Sequence, residues 1–459
     1  MVYNYINKLC MSLLVAMVLT SCSDFTDTTP KGKVIPSTTD DFKGMVIDPS
    51  NASTAYPLAN VCSDDVFSND LEATTTQGKA YYWMENFFLS NENDYCWNDT
   101  YSRIYVMNTV IDNLPSSSGG TENEKAELMA EAKYWRAYLY WLLQSLYAKD
   151  YNAQTASSDL SVPLSLHGDL EASLPRATVS EVTAQILSDL EGSETLLPSK
   201  PSNDYRPSKG AAYALKARIL FYQHEYDKAA EQAKLALQEN STMYDMRTWS
   251  FKNEKRPSAG INGREAQGQF SPEKLGYLSS NMPSILTSMC ISDDLQALFE
   301  SGDLRFKFYF SNLDRMGKTW EDGKYRFIQN LDYNLGVPEM MLIEAEALAR
   351  KNDASCLDIL NKLRQNRFSA DSYHPLTANS GTSLLDLVLD ERRREMCLSS
   401  LRWLDMKRLA AEGIYTKTLT RTLDGTVYTL VPNSKLYVFP IPLQVLSLNS
   451  NIVPNDRKQ

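Results

Sequence analysis

The 459 residues include only three histidines, His167, His224 and His374, far apart along the chain. That scarcity argues against a His-rich metal centre or a histidine-based triad. Cysteine is also sparse, at seven residues, and none sits in a C-x-x-C pair. Cys10 and Cys22 belong to an N-terminal label described below. They leave an odd number, Cys62, Cys96, Cys290, Cys356 and Cys397, which argues against a disulfide framework and a zinc site. Cys356 and Cys397 lie in helical patterns and read as small buried apolar residues. Cys62 and Cys96 could pair in an oxidising compartment. Positive charge is short, with 46 Lys and Arg against 57 Asp and Glu, a net −11. A nucleic-acid partner needs a basic face, so that class is disfavoured. Gly and Pro number 19 each, too few for a collagen-like or linker-dominated chain. No phosphate-cradling Gly-rich loop, H-E-x-x-H or G-x-S-x-G motif is present, so no nucleophile, metal or cofactor is assigned.

The first apolar run, Leu9 to Leu19, is too short to span a bilayer but fits a signal peptide. Leu19-Thr20-Ser21-Cys22 follows and resembles a bacterial lipobox, in which cleavage precedes a lipidated cysteine. Residues 1–21 are therefore expected to be a lipoprotein signal, Cys22 the lipidation site and residues 22–41 a tether. Several acyl chains on one cysteine hold a protein at a membrane, whereas one chain binds only marginally.

Helical signals dominate what remains. Thr121 with Glu124 forms a capping box before a stripe of Leu128, Ala132, Trp135, Leu139, Leu142 and Leu146, which predicts a helix over 122–147. Thr178 with Glu181 opens another, with a face of Val182, Ile186 and Leu190. Residues 208–239 read as two helices with a turn near His224-Glu225 and Asp227 as N-cap. Small residues such as Ala217, Ala229, Ala233 and Ala236, with Tyr213 and Tyr226, resemble the tetratricopeptide pattern. Such a pair cannot bury its face alone and predicts stacked partners. Further helices are expected from Pro338, around Leu357–Leu363, and over a long pattern from Thr382 to Leu409. Residues 42–100 and 241–335 lack sustained periodicity and read as loop-rich, with a hairpin where Phe306, Phe308 and Phe310 face Tyr325, Phe327 and Gln329. Thr426 to Pro454 reads as short extended pieces pinned to the helices.

Five blocks, in order, resemble the SusD/RagB family of Bacteroidetes outer-membrane lipoproteins. They are Cys22-Ser23-Asp24-Phe25 with Pro30-Lys31-Gly32-Lys33; Trp97 through Asn108; Glu131 to Tyr138 through Tyr147 with Val162-Pro163-Leu164; Glu391 to Glu395 with Arg402 to Arg408; and Tyr437 to Pro442. Ser399-Ser400 stand where the family commonly has Glu-Gly. The resemblance implies an all-α fold of tetratricopeptide-like helical pairs with large loop insertions and a few short strands. It implies a single domain over 42–459: a loop-rich segment 42–120, helices 121–240, a ligand-site insertion 241–335, and helices with a tail over 336–459. It implies no catalysis, no cofactor, and a cell-surface protein that captures a glycan and passes it to a SusC-like TonB-dependent transporter. A RagB-type peptide binder is the neighbouring alternative. A protein-interaction scaffold without a nutrient ligand, or an α-helical glycoside hydrolase, belongs to a different class.

Sugar rings stack on Trp and Tyr while Asp, Asn and Arg bond the hydroxyls. With 26 Tyr and 7 Trp against 15 Phe, most aromatic rings carry a polar tip. The candidate ligand residues are Asp64, Asp65, Tyr81, Tyr82, Trp83 and Asn86 in the first irregular segment, and Trp249, Tyr277, Asn281 and Trp320 in the second. Neighbouring carboxylates point apart, so Asp64-Asp65 and Asp293-Asp294 are not glycosidase dyads; the latter pair reads as a helix start. Glu391 and Glu395, with three arginines around them, read as structural ion pairs along one helix.

Overall fold

A computed structural model describes residues 36–54, 57–90, 92, 94–169, 173–263, 268–280, 289–328, 334–378 and 381–458. The signal, Cys22 and most of the tether lie outside the described residues, as do Asn281 and Gln329.

The body is built from α1 (Tyr95–Asn113), α2 (Glu122–Tyr147), α3 (Val179–Leu190), α4 (Lys209–Phe221), α5 (Tyr226–Glu239), α6 (Val337–Arg350), α7 (Cys356–Gln365), α8 (Leu384–Glu395) and α9 (Leu401–Ala411). The all-α, tetratricopeptide-like expectation holds. Both capping boxes form: Thr121 and Glu124 satisfy each other's backbone N–H, as do Thr178 and Glu181. Helices α1 and α2 are joined through Gly119 and Gly120, both at positive φ (77° and 67°). The apolar stripe of α2 understates its burial. From Tyr134 to Leu143 every side chain is buried, because α1, α3, α4 and the strand-like segment near Phe439 surround it.

Helices α4 and α5 pack through Ala214, Ala217, Ala229, Ala233 and Ala236, all buried. Alanine lets the backbones approach, and the Phe221 and Tyr226 rings, 5.5 Å apart edge to face, fill the turn end. Asp227 does not cap α5; the N-cap is Glu225, without a side-chain bond. Helix α5 then packs directly on α6. The chain between them, residues 240–336, leaves the helical stack and rejoins it without breaking the stacking.

The irregular segments carry more short order than their periodicity suggests. Residues 42–100 contain helices at Pro57–Cys62 and Thr76–Tyr81. The predicted hairpin is half right. Phe306 and Phe308 lie in a helix, Leu304–Tyr309, capped by Asp303. Only β3 (Phe310–Ser311) pairs with β4 (Arg326–Phe327). These strands join β1 (Val66–Phe67) and β2 (Cys290–Ile291) in an antiparallel sheet ordered β3-β4-β2-β1. The long C-terminal pattern is also broken, since α8 and α9 are separated by Leu398 and Ser400 at φ 57° and 73°. Ser400 thus holds a left-handed conformation that favours glycine. Asn60 secures it, accepting from the Ser400 backbone N–H (2.7 Å) and donating to its hydroxyl (3.0 Å). A β-hairpin follows, β5 (Leu419–Leu423) and β6 (Thr426–Leu430), turned at Asp424-Gly425 with φ 50° and 79°.

Glu391 and Glu395 are the hub of the assembly, and most of their pairs run between elements rather than along α8. Arg305 from the insertion bonds Glu391 (2.7 Å), Glu395 (2.8 Å) and Asp303 (2.7 Å). Arg364 of α7 reaches Glu391 (3.0 Å), and Arg367 binds both Glu395 (2.8 Å) and Glu273 (2.7 Å). Arg394 supplies the one i,i+3 contact to Glu391 (2.8 Å). Arg305 and Glu391 are fully buried. Burial would raise the Glu391 carboxyl, but the three guanidiniums outweigh it and hold it well below the usual range. Removing one partner leaves an uncompensated buried charge, which costs about 3–5 kcal/mol. Arg305→Met is therefore expected to lower the urea midpoint sharply, and a midpoint unchanged from wild type would contradict the hub role.

Candidate functional site

Most of the predicted ligand residues turn out to be internal. Asp64 is buried, and Arg402 forks onto it at 2.7 and 2.8 Å, with Arg393 at 3.4 Å and the Tyr415 hydroxyl at 3.2 Å. Burial pushes its carboxyl up, yet the two arginines hold it well below the ordinary range. Asp65 is fully buried and accepts from Arg393 Nε at 2.9 Å; burial raises its carboxyl. Both aspartates tie the first segment to α8 and α9, so neither presents oxygens to a ligand.

Tyr81, Tyr82 and Trp83 are each at most 2% exposed. The Tyr81 and Trp83 rings enclose a buried guanidinium: Arg421 from β5 lies 3.8 Å from the Tyr81 centroid and 4.1 Å from that of Trp83. Arg421 donates to the carbonyls of Val61, Tyr81 and Ser63. The polar tips find internal partners too, Trp83 Nε1 on Cys62 O (2.9 Å) and the Tyr81 hydroxyl on Ser68 (3.0 Å). Asn86 is half-buried and accepts from Phe88 N (3.1 Å), a local turn contact. Trp249 is buried between Tyr244 and Phe308 at 5.3 and 5.6 Å. Tyr277 is half-buried, edge-on to Tyr205 at 5.3 Å. Cys62 and Cys96 are buried free thiols.

Trp320 is different. It lies in the loop between β3 and β4, half-buried, with the Arg326 guanidinium 4.3 Å from its ring centroid. Arg326 is held by a fork onto Asp322 (3.0 and 2.7 Å), and this bond keeps the Asp322 carboxyl well below its usual range. The register explains the placement. Phe67 pairs with Cys290 and Cys290 with Arg326, so these side chains share the outer face of the sheet. Val66, Ile291, Phe310 and Phe327 form the inner, buried face. Phe67 is 36% exposed. The outer face therefore offers two partly open rings beside a fixed guanidinium and carboxylate. Sequence reasoning missed Phe67, Asp322 and Arg326, because short strands hide the alternation that would have marked a common face.

A second concavity, a cavity of about 650 Å³, opens on the helical side between the loop after α2, the α4–α5 turn, the end of α9 and residues 433–438. His224 occupies that turn at φ 63° and forms one wall. Its two ring nitrogens sit 2.7 Å from Asp150 and 2.7 Å from Glu412, an arrangement that requires both to donate. Burial disfavours the imidazolium, but the two carboxylates outweigh it and raise its pKa to about 9. Lys407 forms the floor, its pKa lowered to about 8 by burial. Among the described residues no group of three His, Cys, Asp or Glu could hold a metal ion, and no helix is long and apolar enough to cross a membrane.

Comparison with known proteins agrees with this architecture. Residues 39–221 match a family model described as "Starch-binding associating with outer membrane", and residues 337–457 match the SusD family model. The chain belongs to the SusD family. SusD-like protein P2 of Formosa agariphila is 25% identical over 433 residues, covering 81% of this chain and 82% of that protein. A SusD superfamily protein from Bacteroides thetaiotaomicron superposes with TM-score 0.71 at 18% identity, over 92% of this chain and 100% of that one. A surface glycan-binding protein A from Bacteroides fluxus gives TM-score 0.68 at 16% identity, over 92% of this chain and 100% of that one. The break between the two family models, residues 222–336, contains the insertion that carries Trp320 and Arg326.

The His224 bridge makes stability depend on pH with a definite sign. The folded pKa lies above the ordinary 6.5, so its contribution is complete below about 6.5 and disappears as pH rises through about 9. In His224→Gln the urea midpoint should lie below wild type at pH 6 and converge on it by pH 10. A constant gap across that range would contradict the bridge.

Proposed function

We propose that this SusD-family protein is a cell-surface lipoprotein, anchored through Cys22, that binds an oligo- or polysaccharide. It delivers the glycan to a SusC-like TonB-dependent transporter and catalyses no reaction. The family description, with its reference to starch binding and the outer membrane, supports the class. The carrying observation is the outer face of the small sheet. There the Trp320 ring rests on Arg326, Asp322 fixes that guanidinium, and Phe67 lies on the same face. A half-open indole can stack on the C–H face of a sugar, while Asp322 and Arg326 accept from and donate to its hydroxyls.

Such a face is shallow and uses few groups, so the expected affinity is micromolar to millimolar, about 4–8 kcal/mol. Weak binding suits a protein that must release its cargo. Of the buried rings, Tyr81 and Tyr82 pack against the sheet's inner side.

The test is affinity electrophoresis and calorimetry over a glycan panel, on soluble protein lacking residues 1–22. Trp320→Ala should weaken glycan binding about tenfold, equivalent to about 1.4 kcal/mol. Trp83→Phe and Trp249→Phe should lower the melting temperature while leaving affinity within about twofold. Binding confined to a peptide library, or full glycan affinity in Trp320→Ala, would overturn the assignment.

A further inference from the structure

The cavity on the helical side is separate from the sheet face and has a distinctive charge pattern. Its walls hold both signs, but nearly every charge is matched. Lys149 is 2.5 Å from Asp159, Lys435 is 2.6 Å from Asp456, and Glu225 is 3.1 Å from Lys228. Asp150 and Glu412 share the His224 ring, and Glu412 also meets Arg350 at 2.7 Å. Lys407 stands apart. It is 8% exposed and makes no ion pair among the described residues; Asp150, the carboxylate that acts on it from a distance, is itself held by His224. Two of its three N–H groups are used, on the Ser145 carbonyl (2.6 Å) and the Ala148 carbonyl (3.1 Å) at the C-terminal end of α2. The helix end supplies partial negative charge there, not a full counter-charge. A buried ammonium without a counter-ion is costly, and the cheapest compensation is an anion delivered to its remaining N–H.

The rest of the wall suits a hydroxylated molecule. Asn152, Gln223, Asn433 and Ser434 line the cavity with uncharged donors and acceptors, and Tyr151 adds a ring. Its volume of about 650 Å³ lies within the range of small-molecule sites, about 300–1,000 Å³. We propose that this cavity is a second binding site, selective for a uronic acid residue, with the sugar carboxylate on Lys407 Nζ and its hydroxyls on the surrounding amides. The acidic side chains of the wall do not repel such a ligand, because each is already neutralised by a named cation. This inference rests on the cavity and Lys407 alone, so it stands or falls independently of the Trp320 face.

The experiment is titration calorimetry of the soluble mature protein with methyl glucuronide, methyl galacturonide, methyl glucoside and N-acetylalanine at neutral pH. The uronides should bind at least tenfold more tightly than the neutral glycoside and the acyl amino acid. Lys407→Met should abolish that preference. Because Lys407 also caps α2, a second variant keeps the test clean: Ala411→Trp, at an exposed position on the cavity rim, fills the space with Lys407 in place and should weaken uronide binding at least tenfold. Trp320→Ala should leave uronide binding unchanged. Equal binding of methyl glucoside or N-acetylalanine, no uronide binding at all, or full affinity in a folded Ala411→Trp protein would each overturn the proposal.

Discussion

Buried arginines paired with buried carboxylates hold this molecule together. Glu391 and Glu395 on α8 receive guanidiniums from the insertion, from α7 and from Arg367, two residues beyond α7. From between those two glutamates the same helix sends Arg393 to Asp64 and Asp65, and Arg392 to Asp405 on α9. Arg408 then links Asp405 to Glu346 on α6. Each ion would be expensive to bury alone, so each element is tolerable only when its partners have arrived. Helical pairs of this kind could stack in several registers on apolar contact alone. Bidentate arginine pairs accept far fewer geometries, and so bias the stack toward one.

That lattice also explains how long irregular segments can be rigid. The insertion leaves the stack after α5 and returns at α6, and Asp303 and Arg305 moor its middle to α8. The first segment is moored by Asp64 and Asp65, and again by Arg421, which the Tyr81 and Trp83 rings enclose. With both segments fixed, β1 from the first can pair with β2 from the second, and the sheet gains an outer face opposite its buried side. A ligand face built this way is preorganised, which lowers the ordering cost of binding.

The sequence was informative about helices and much less so about the site. Capping boxes at Thr121 and Thr178 and the alanine-rich pair over 208–239 are local signals, readable because their partners lie three or four residues away. Tyr81, Tyr82, Trp83 and Trp249 proved to be buried for a complementary reason. A tyrosine or tryptophan reads the same whether its polar tip meets water or an internal acceptor. Trp83 donates to Cys62 O, and only the fold reveals that. Asp64 and Asp65 gave the same ambiguity, since their arginine partners lie more than 300 residues downstream. Arg326 and Phe67 were invisible because two-residue strands carry no period.

By itself the sequence determined the helical class and the order of the paired helices, which follow from short-range patterns of residue size, capping and periodicity, while the family followed from the likeness of five sequence blocks to SusD/RagB proteins. The tertiary structure alone decided which charges and rings face inward and which meet solvent. Burial depends on pairing between residues distant in the chain, and a local pattern carries no record of that distance.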